Sequence, residues 1–289
     1  MEEHPREKRA IKGKEQPRAL EIRGMGEGYH RRSLGQRRHL WVREQSTQER
    51  AKVSLMNHIV TGANRGIGLE LVRQLARAGH RVEALCRQPE KATELLDLVR
   101  ASGGKVRIST CDVGDPASIA KFAKEHHDGP IDRLINNAGT FGTRDRPLGE
   151  LDYAEIEEVI RINTFGPLRM VEALLPSLRM GARADAPKKI LHISTGMASI
   201  GDNGSGGHYA YRMSKVALNM ASMNLARELK KDHIASYVMN PGWVQTDMGG
   251  KGAPTSPEES VRGILETFEK ATMEDSGEFL DYRGKRFPW

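Results

Sequence analysis

Thr61-Gly62-Ala63-Asn64-Arg65-Gly66-Ile67-Gly68 follows a short apolar stretch, His58-Ile59-Val60, and opens a pattern in which Ile67, Leu71, Val72, Leu75 and Ala78 recur at helical spacing before Gly79. A strand that runs through a glycine turn into a helix has a specific physical use. Gly62 permits a tight exit from the strand, Gly66 lets backbone approach a phosphate, and Gly68 lets the helix pack close to the strand. The helix N-terminus then offers free N–H groups and the positive end of its dipole to a pyrophosphate. Asn64, Arg65 and Ile67 share that turn and are expected to lie against the same group.

Outward from the turn, the chain alternates strand and helix. Arg81 to Cys86, Val106 to Cys111, Ile131 to Ile135, Lys189 to Ile193, Ile234 to Met239 and Glu278 to Tyr282 read as further strands. Helical patterns fill the gaps, the longest over Ala154 to Leu178 and Tyr211 to Leu229. Such alternation predicts an α/β fold, a single Rossmann-type doubly wound parallel sheet with helices on both faces. Its ligand crevice should lie at the carboxyl ends of the strands. No repeat and no second folded domain is visible.

The chain divides by charge. Residues 1–52 hold 14 Lys/Arg and 8 Glu, a net +6 of the chain's +7, leaving +1 for residues 53–289. The basic N-terminal extension, 1–52, lacks sustained apolar periodicity and has the composition of a disordered tail. It has no apolar signal core, and its glutamates argue against a transit peptide. Met56, just before the first strand, is an alternative start of the protein. A basic tail on a nearly neutral domain, 53–289, argues against a nucleic-acid partner for the fold itself. No stretch approaches the roughly 18 apolar residues of a membrane span. Two cysteines, Cys86 and Cys111, exclude a disulfide framework and fit a reducing, cytoplasmic setting. His126-His127 and His192 have no metal-ligand spacing, and His192 reads as a satisfied core residue.

The second strand selects the dinucleotide. An NAD site places a carboxylate near that strand's end for the ribose hydroxyls, whereas here the residues are Cys86-Arg87. With Arg65, Arg87 supplies two guanidiniums able to clamp a 2′-phosphate, which favours NADP(H).

The glycine turn, Asn136-Asn137-Ala138-Gly139 after the fourth strand, and Tyr211-Arg212-Met213-Ser214-Lys215 together resemble the short-chain dehydrogenase/reductase superfamily, in order and spacing, from about Val53 to Trp289. Tyr209 to Lys215, Asn240 to Met248 and the terminal Phe287-Pro288-Trp289 resemble its carbonyl-reductase-like, C-factor-like branch. The resemblance implies hydride transfer between NADP(H) and a small carbonyl or alcohol substrate. Tyr211 and Lys215 stand four apart on one helix face. The lysine is expected to lower the tyrosine pKa from its usual value near 10, to steer it toward acid–base work, and to hold the nicotinamide ribose. Tyr209, with Met213 four residues on, is the weaker candidate. The family's substrate-holding serine position falls on Thr195, with Ser194 one step earlier as the alternative. Asn163 matches the asparagine of a proton relay; a plain helix asparagine bonding backbone is the other reading. By position, Asp112 and Val113 would meet the adenine, Asn137, Ala138 and Gly139 the cleft floor, and Pro241, Val244 and Thr246 the nicotinamide side. The Gly- and Pro-rich stretch 249–257 suggests a mobile substrate lid or an ordinary loop. The two long helices leave a homodimer open.

Three other functions compete with a reductase. A nucleotide-sensing signalling protein would have weak or no turnover. A nucleic-acid-associated protein would use residues 1–52. A sugar-nucleotide epimerase would carry a differently spaced glycine turn and a separate substrate domain, neither of which this sequence shows.

Overall fold

A computed structural model of the chain describes residues 55–126, 129–143 and 146–289. The expectations for residues 1–52 and His127 lie outside them. Seven strands, β1 (Asn57–Thr61), β2 (Arg81–Cys86), β3 (Val106–Thr110), β4 (Arg133–Asn136), β5 (Lys188–Ile193), β6 (Ile234–Asn240) and β7 (Phe279–Asp281), form one sheet in the order β3-β2-β1-β4-β5-β6-β7. Every pairing is parallel. The strand order reverses between β1 and β4, and the crevice of an open α/β sheet forms at that switch point.

Alternation along the strands makes two cores. Val60, Ala84, Ile135, Leu191 and Tyr237 face one side, covered by α1 (Gly66–Arg77), α2 (Thr93–Ala101) and α7 (Pro257–Lys270). Ile59, Leu85, Leu134, Ile190 and Ile234 face the other, under α3 (Pro116–His126), α5 (Gly166–Arg179) and α6 (Tyr209–Glu228). Burial on both faces explains why these strands read as near-continuous apolar runs.

The helix expected over Ala154–Leu178 is interrupted. It consists of α4 (Tyr153–Ile160), a π-turn (Arg161–Phe165) and α5. In the π-turn the Gly166 N–H donates to the Arg161 carbonyl, five residues back. Pro167 has no N–H for Asn163, the residue four before it, so an unbroken α-helix loses a bond there and the wider turn takes its place. Gly166 also packs against Val113; a Cβ there would come within 2.7 Å of the Val113 carbonyl. At the far end of the chain, Phe287 and Trp289 pack in tilted contact with Phe279, at 5.0 and 5.6 Å between ring centroids. The Trp289 carbonyl accepts from the Gly201 N–H at 2.8 Å, which fixes the segment that follows β5. Among the described residues, no helix is long and apolar enough to cross a membrane.

Candidate active site

The turn after β1 is held by its neighbours across the sheet. Gly62 has φ +64°, and a Cβ on it would stand 2.8 Å from the Ala138 Cα. A Cβ on Gly68 would overlap the Gly62 carbonyl, so α1 reaches this depth only without a side chain. The Asn137 and Ala138 N–H groups both donate to Thr61 Oγ1, each at 3.0 Å. The Asn137 amide donates back to the Thr61 and Gly62 carbonyls at 2.9 and 3.1 Å. Asn137 thus buttresses the turn, and Thr61, which the sequence reading passed over, ties β1 to the end of β4. Its signal was a hydroxyl directly before the glycine turn.

This turn opens onto a cavity of about 1180 Å³ along the carboxyl ends of the strands. Gly62, Asn64, Arg65, Gly66, Ile67 and Gly68 line its phosphate end. Arg87, Asp112 and Val113 line one side, and Ala138, Gly139, Pro241, Val244 and Thr246 the floor and far wall. Gln88 and Lys91, not singled out from the sequence, add a polar group and a cation beside Arg87. β2 ends in Cys86, followed by an exposed Arg87 in place of a carboxylate, with Glu90 close enough to act on Cys86 and Glu94 also lining the cavity. Asp112 turns its carboxylate inward to accept from the Gly114 N–H at 2.9 Å. Arg65 reaches over the cleft to Asp247, at 2.8 Å.

At the other end of the cavity stand Thr195, Tyr211 and Lys215. Tyr211 is buried, stacked on Phe141 at 4.4 Å between centroids, and its hydroxyl reaches the Met248 sulfur at 3.9 Å, with the Thr195 hydroxyl near enough to act on the phenol's pKa. Thr195 is half-buried and its Oγ1 accepts from the Met197 N–H at 3.2 Å. Ser194 points the other way: its hydroxyl donates to Asn219 Oδ1 at 2.7 Å inside the protein. The chain leaving β5 thus turns the two hydroxyls apart, and it is Thr195, not Ser194, that acts on Tyr211.

Lys215 is buried and donates to the Ile193 carbonyl at 2.8 Å. Asn163 does not line the cavity. It is fully buried in the π-turn, with Oδ1 accepting from the Thr140 N–H and Nδ2 donating to the Thr140 carbonyl, both at 2.8 Å, and to Ser214 Oγ at 3.0 Å. A Cβ on Gly139 would meet Asn163 Oδ1 at 3.1 Å and Lys215 Nζ at 3.5 Å, so the asparagine and the lysine flank one backbone position.

The electrostatics depart from expectation. The phenol of Tyr211 is pushed up to about 12, because burial outweighs the lowering by the Thr195 hydrogen bond. Burial also brings Lys215 down to about 8. The expected lowering of Tyr211 by Lys215 is therefore not what dominates: the ammonium is turned onto the Ile193 carbonyl, and desolvation governs both groups. His192, expected as a satisfied core residue, has Nδ1 3.4 Å from the Asn136 amide nitrogen, while Nε2 has no partner among the described residues. It is held down to about 3, by burial first and the Lys215 charge second, so it is neutral. Cys86 and Cys111 are buried thiols. The 249–257 stretch is tied back by hydrogen bonds. The Gln245 N–H donates to the Thr255 carbonyl at 2.9 Å, Trp243 Nε1 to the Gly249 carbonyl at 2.8 Å, and Ala253 is buried.

Residues 57–256 match the short chain dehydrogenase family. The C-signal protein of Myxococcus xanthus is 44% identical over 168 residues, 58% of this chain and 98% of its own. The carbonyl reductase Sniffer of Drosophila melanogaster superposes with a TM-score of 0.77 at 30% identity, over 81% of this chain and all of its own. The NADPH-bound carbonyl reductase from chicken fatty liver superposes with a TM-score of 0.75 at 32% identity, over 81% and 99%. With its glycine turn, its switch-point cleft and its Tyr211–Lys215 pair on α6, the chain belongs to the short-chain dehydrogenase/reductase family, in the carbonyl-reductase-like and C-factor-like branch.

Proposed function

We propose that this protein is an NADP(H)-dependent oxidoreductase that interconverts a small carbonyl compound and its alcohol. The observation that carries the reading is that Tyr211, Thr195 and Lys215 close one end of the cavity whose other end is the glycine turn. The cradle fits a dinucleotide. Gly62 and Gly68, where a Cβ would strike neighbouring backbone, let the turn lie tight at the cavity's edge, and the cavity's volume exceeds the roughly 300–1,000 Å³ of small-ligand pockets. Arg65 and Arg87, with Lys91 nearby, suit a 2′-phosphate. The NADPH-bound state of the chicken enzyme supports the same choice.

NADPH, when bound, supplies the hydride. The chain supplies the rest. Thr195 and Tyr211 offer two hydroxyls to one substrate oxygen, and Tyr211 donates the proton as charge develops there. A phenol held near 12 stays protonated at neutral pH. An alkoxide is still a far stronger base, comparable to hydroxide, whose conjugate acid has a pKa of about 15.7, so the transfer runs downhill. Lys215 places a buried cation beneath the reacting centre, and Asn163 fixes Thr140 and Ser214 around it. Phe141, Met197, Trp243 and Met248 make the substrate end apolar and aromatic.

The likeness to C-signal favours a second reading, a nucleotide-sensing signalling protein with weak turnover. One experiment separates the two: a panel of aliphatic and aromatic carbonyls with NADPH and NADH side by side. The reductase reading expects NADPH oxidation with at least one apolar carbonyl, and weaker use of NADH. Tight NADPH binding with no carbonyl-dependent oxidation would favour the sensor, and equal use of the two dinucleotides would remove the assignment of Arg65 and Arg87.

A further inference from the structure

The loop after β6 makes an ion pair with the phosphate turn, a partnership 182 residues apart in sequence. Asp247 Oδ2 stands 2.8 Å from Arg65 Nη1, and the two side chains are 76% and 68% exposed. The turn that carries Asp247 is bonded within itself. The Gly249 N–H donates to Thr246 Oγ1 at 3.1 Å and the Gly250 N–H to the Thr246 carbonyl at 2.7 Å. It also sits close over the glycines: a Cβ on Gly66 would meet Thr246 Cγ2 at 3.2 Å. Asp247 is thus held at the mouth of the dinucleotide cleft, beside a guanidinium that the reading above gives to the 2′-phosphate.

A phosphate near two negative charges, with three acceptor oxygens, is a stronger partner for a guanidinium than a solvated carboxylate. We propose that Asp247 competes with the 2′-phosphate for Arg65 and so acts as a specificity residue, lowering the preference for NADPH over NADH. The proposal rests on the assignment of Arg65 to that phosphate. NADH, which lacks the phosphate, leaves the pair intact.

The test is a double-mutant cycle on the full chain, read as dissociation constants from nicotinamide fluorescence for NADPH and for NADH. Asp247→Asn is expected to tighten NADPH by about 2–5-fold, the scale of an exposed ion pair, and to leave NADH unchanged. Arg65→Met is expected to weaken NADPH. In the Arg65→Met background, Asp247→Asn is expected to add nothing, because no contested arginine remains. The same tightening in that background would mean simple repulsion across the cleft and would overturn the competition. Equal tightening of NADPH and NADH would make Asp247 a residue of loop structure only. An Arg65→Met loss beside an unaltered Asp247→Asn overturns this proposal alone, whereas an Arg65→Met chain that binds NADPH like the parent removes the assignment on which it stands.

Discussion

At the phosphate turn of the cleft the surface is backbone, made from one continuous stretch and braced by Thr61 and Asn137, with the side chains of Arg65 and Arg87 beside it. At the carbonyl end it is side chains, brought by Phe141 after β4, Thr195 after β5, Tyr211 on α6 and Met248 after β6. The first is fixed by steric exclusion, since most side chains at Gly62 or Gly68 would collide with backbone. The second is fixed by ring stacking and a sulfur contact, each individually weak. A surface of the first kind recognises what all its substrates share, the cofactor. A surface of the second kind can be re-cut for a different carbonyl by changing one loop.

The sharpest way to break this contrast is to damage the first end only. Gly68→Ala puts a Cβ into the Gly62 carbonyl and within 2.5 Å of Asn137 Nδ2. NADPH binding should be lost at concentrations that saturate the parent, with a lower melting temperature, as followed by fluorescence titration and calorimetry. Retained NADPH affinity would show that the helix can back away from the strand.

A smaller effect is expected within the second end. Thr195→Ala removes one of the two hydroxyls that the proposed function gives to the substrate oxygen and should lower kcat by about 10²-fold, the scale of one lost oxyanion donor. Thr195→Ser should keep most of it. Ser194→Ala should leave kcat near the parent's and instead cost about 1–3 kcal/mol of stability, because the Asn219 amide loses its buried partner. Steady-state kinetics beside denaturant melts would separate the two positions, and the opposite ranking would move the catalytic role to Ser194.

A pH profile sharpens the comparison further. Lys215 titrates near 8 and Tyr211 near 12, so reduction should fall as pH rises through about 8, where the lysine loses its charge while the phenol still holds its proton. Lys215→Arg, whose guanidinium keeps its charge, should carry that falling limb to higher pH, and Lys215→Met should abolish the limb along with most of the activity. The unfolded lysine titrates near its ordinary 10.5, so between about 8 and 10.5 the unfolded chain binds the extra proton and this group's contribution to stability rises with pH. A limb unmoved in Lys215→Arg would assign it to another group.

What could be read from the sequence follows the same division. The glycine turn, the β2 boundaries and the Tyr211–Lys215 spacing are local patterns, and the structure puts them where those patterns point. Asn163 was found by position, but not the π-turn that carries it, because the periodicity of α4 and α5 continues across the break and only Pro167 marks it. Phe141 and Met248 had no local signal; loop side chains acquire partners only when the sheet brings distant segments together. The Arg65–Asp247 pair was hidden for the same reason. Spacing also shows that Tyr211 and Lys215 share a face and says nothing of their solvation, and it is burial that sets the direction of both shifts.

One hydroxyl, that of Tyr211, is the proposed proton donor. Tyr211→Phe keeps the ring that stacks on Phe141 and removes only the proton donor. Tyr209→Phe removes a hydroxyl from an exposed tyrosine two residues away. Measured as single-turnover NADPH oxidation with a carbonyl accepted by the parent, Tyr211→Phe should lose roughly 10²–10⁴-fold in rate with NADPH affinity unchanged, and Tyr209→Phe should match the parent. A Tyr211→Phe protein that reduces the carbonyl at near the parent rate would contradict the assignment of the proton donor and, with it, the reading of this cleft as a carbonyl reductase.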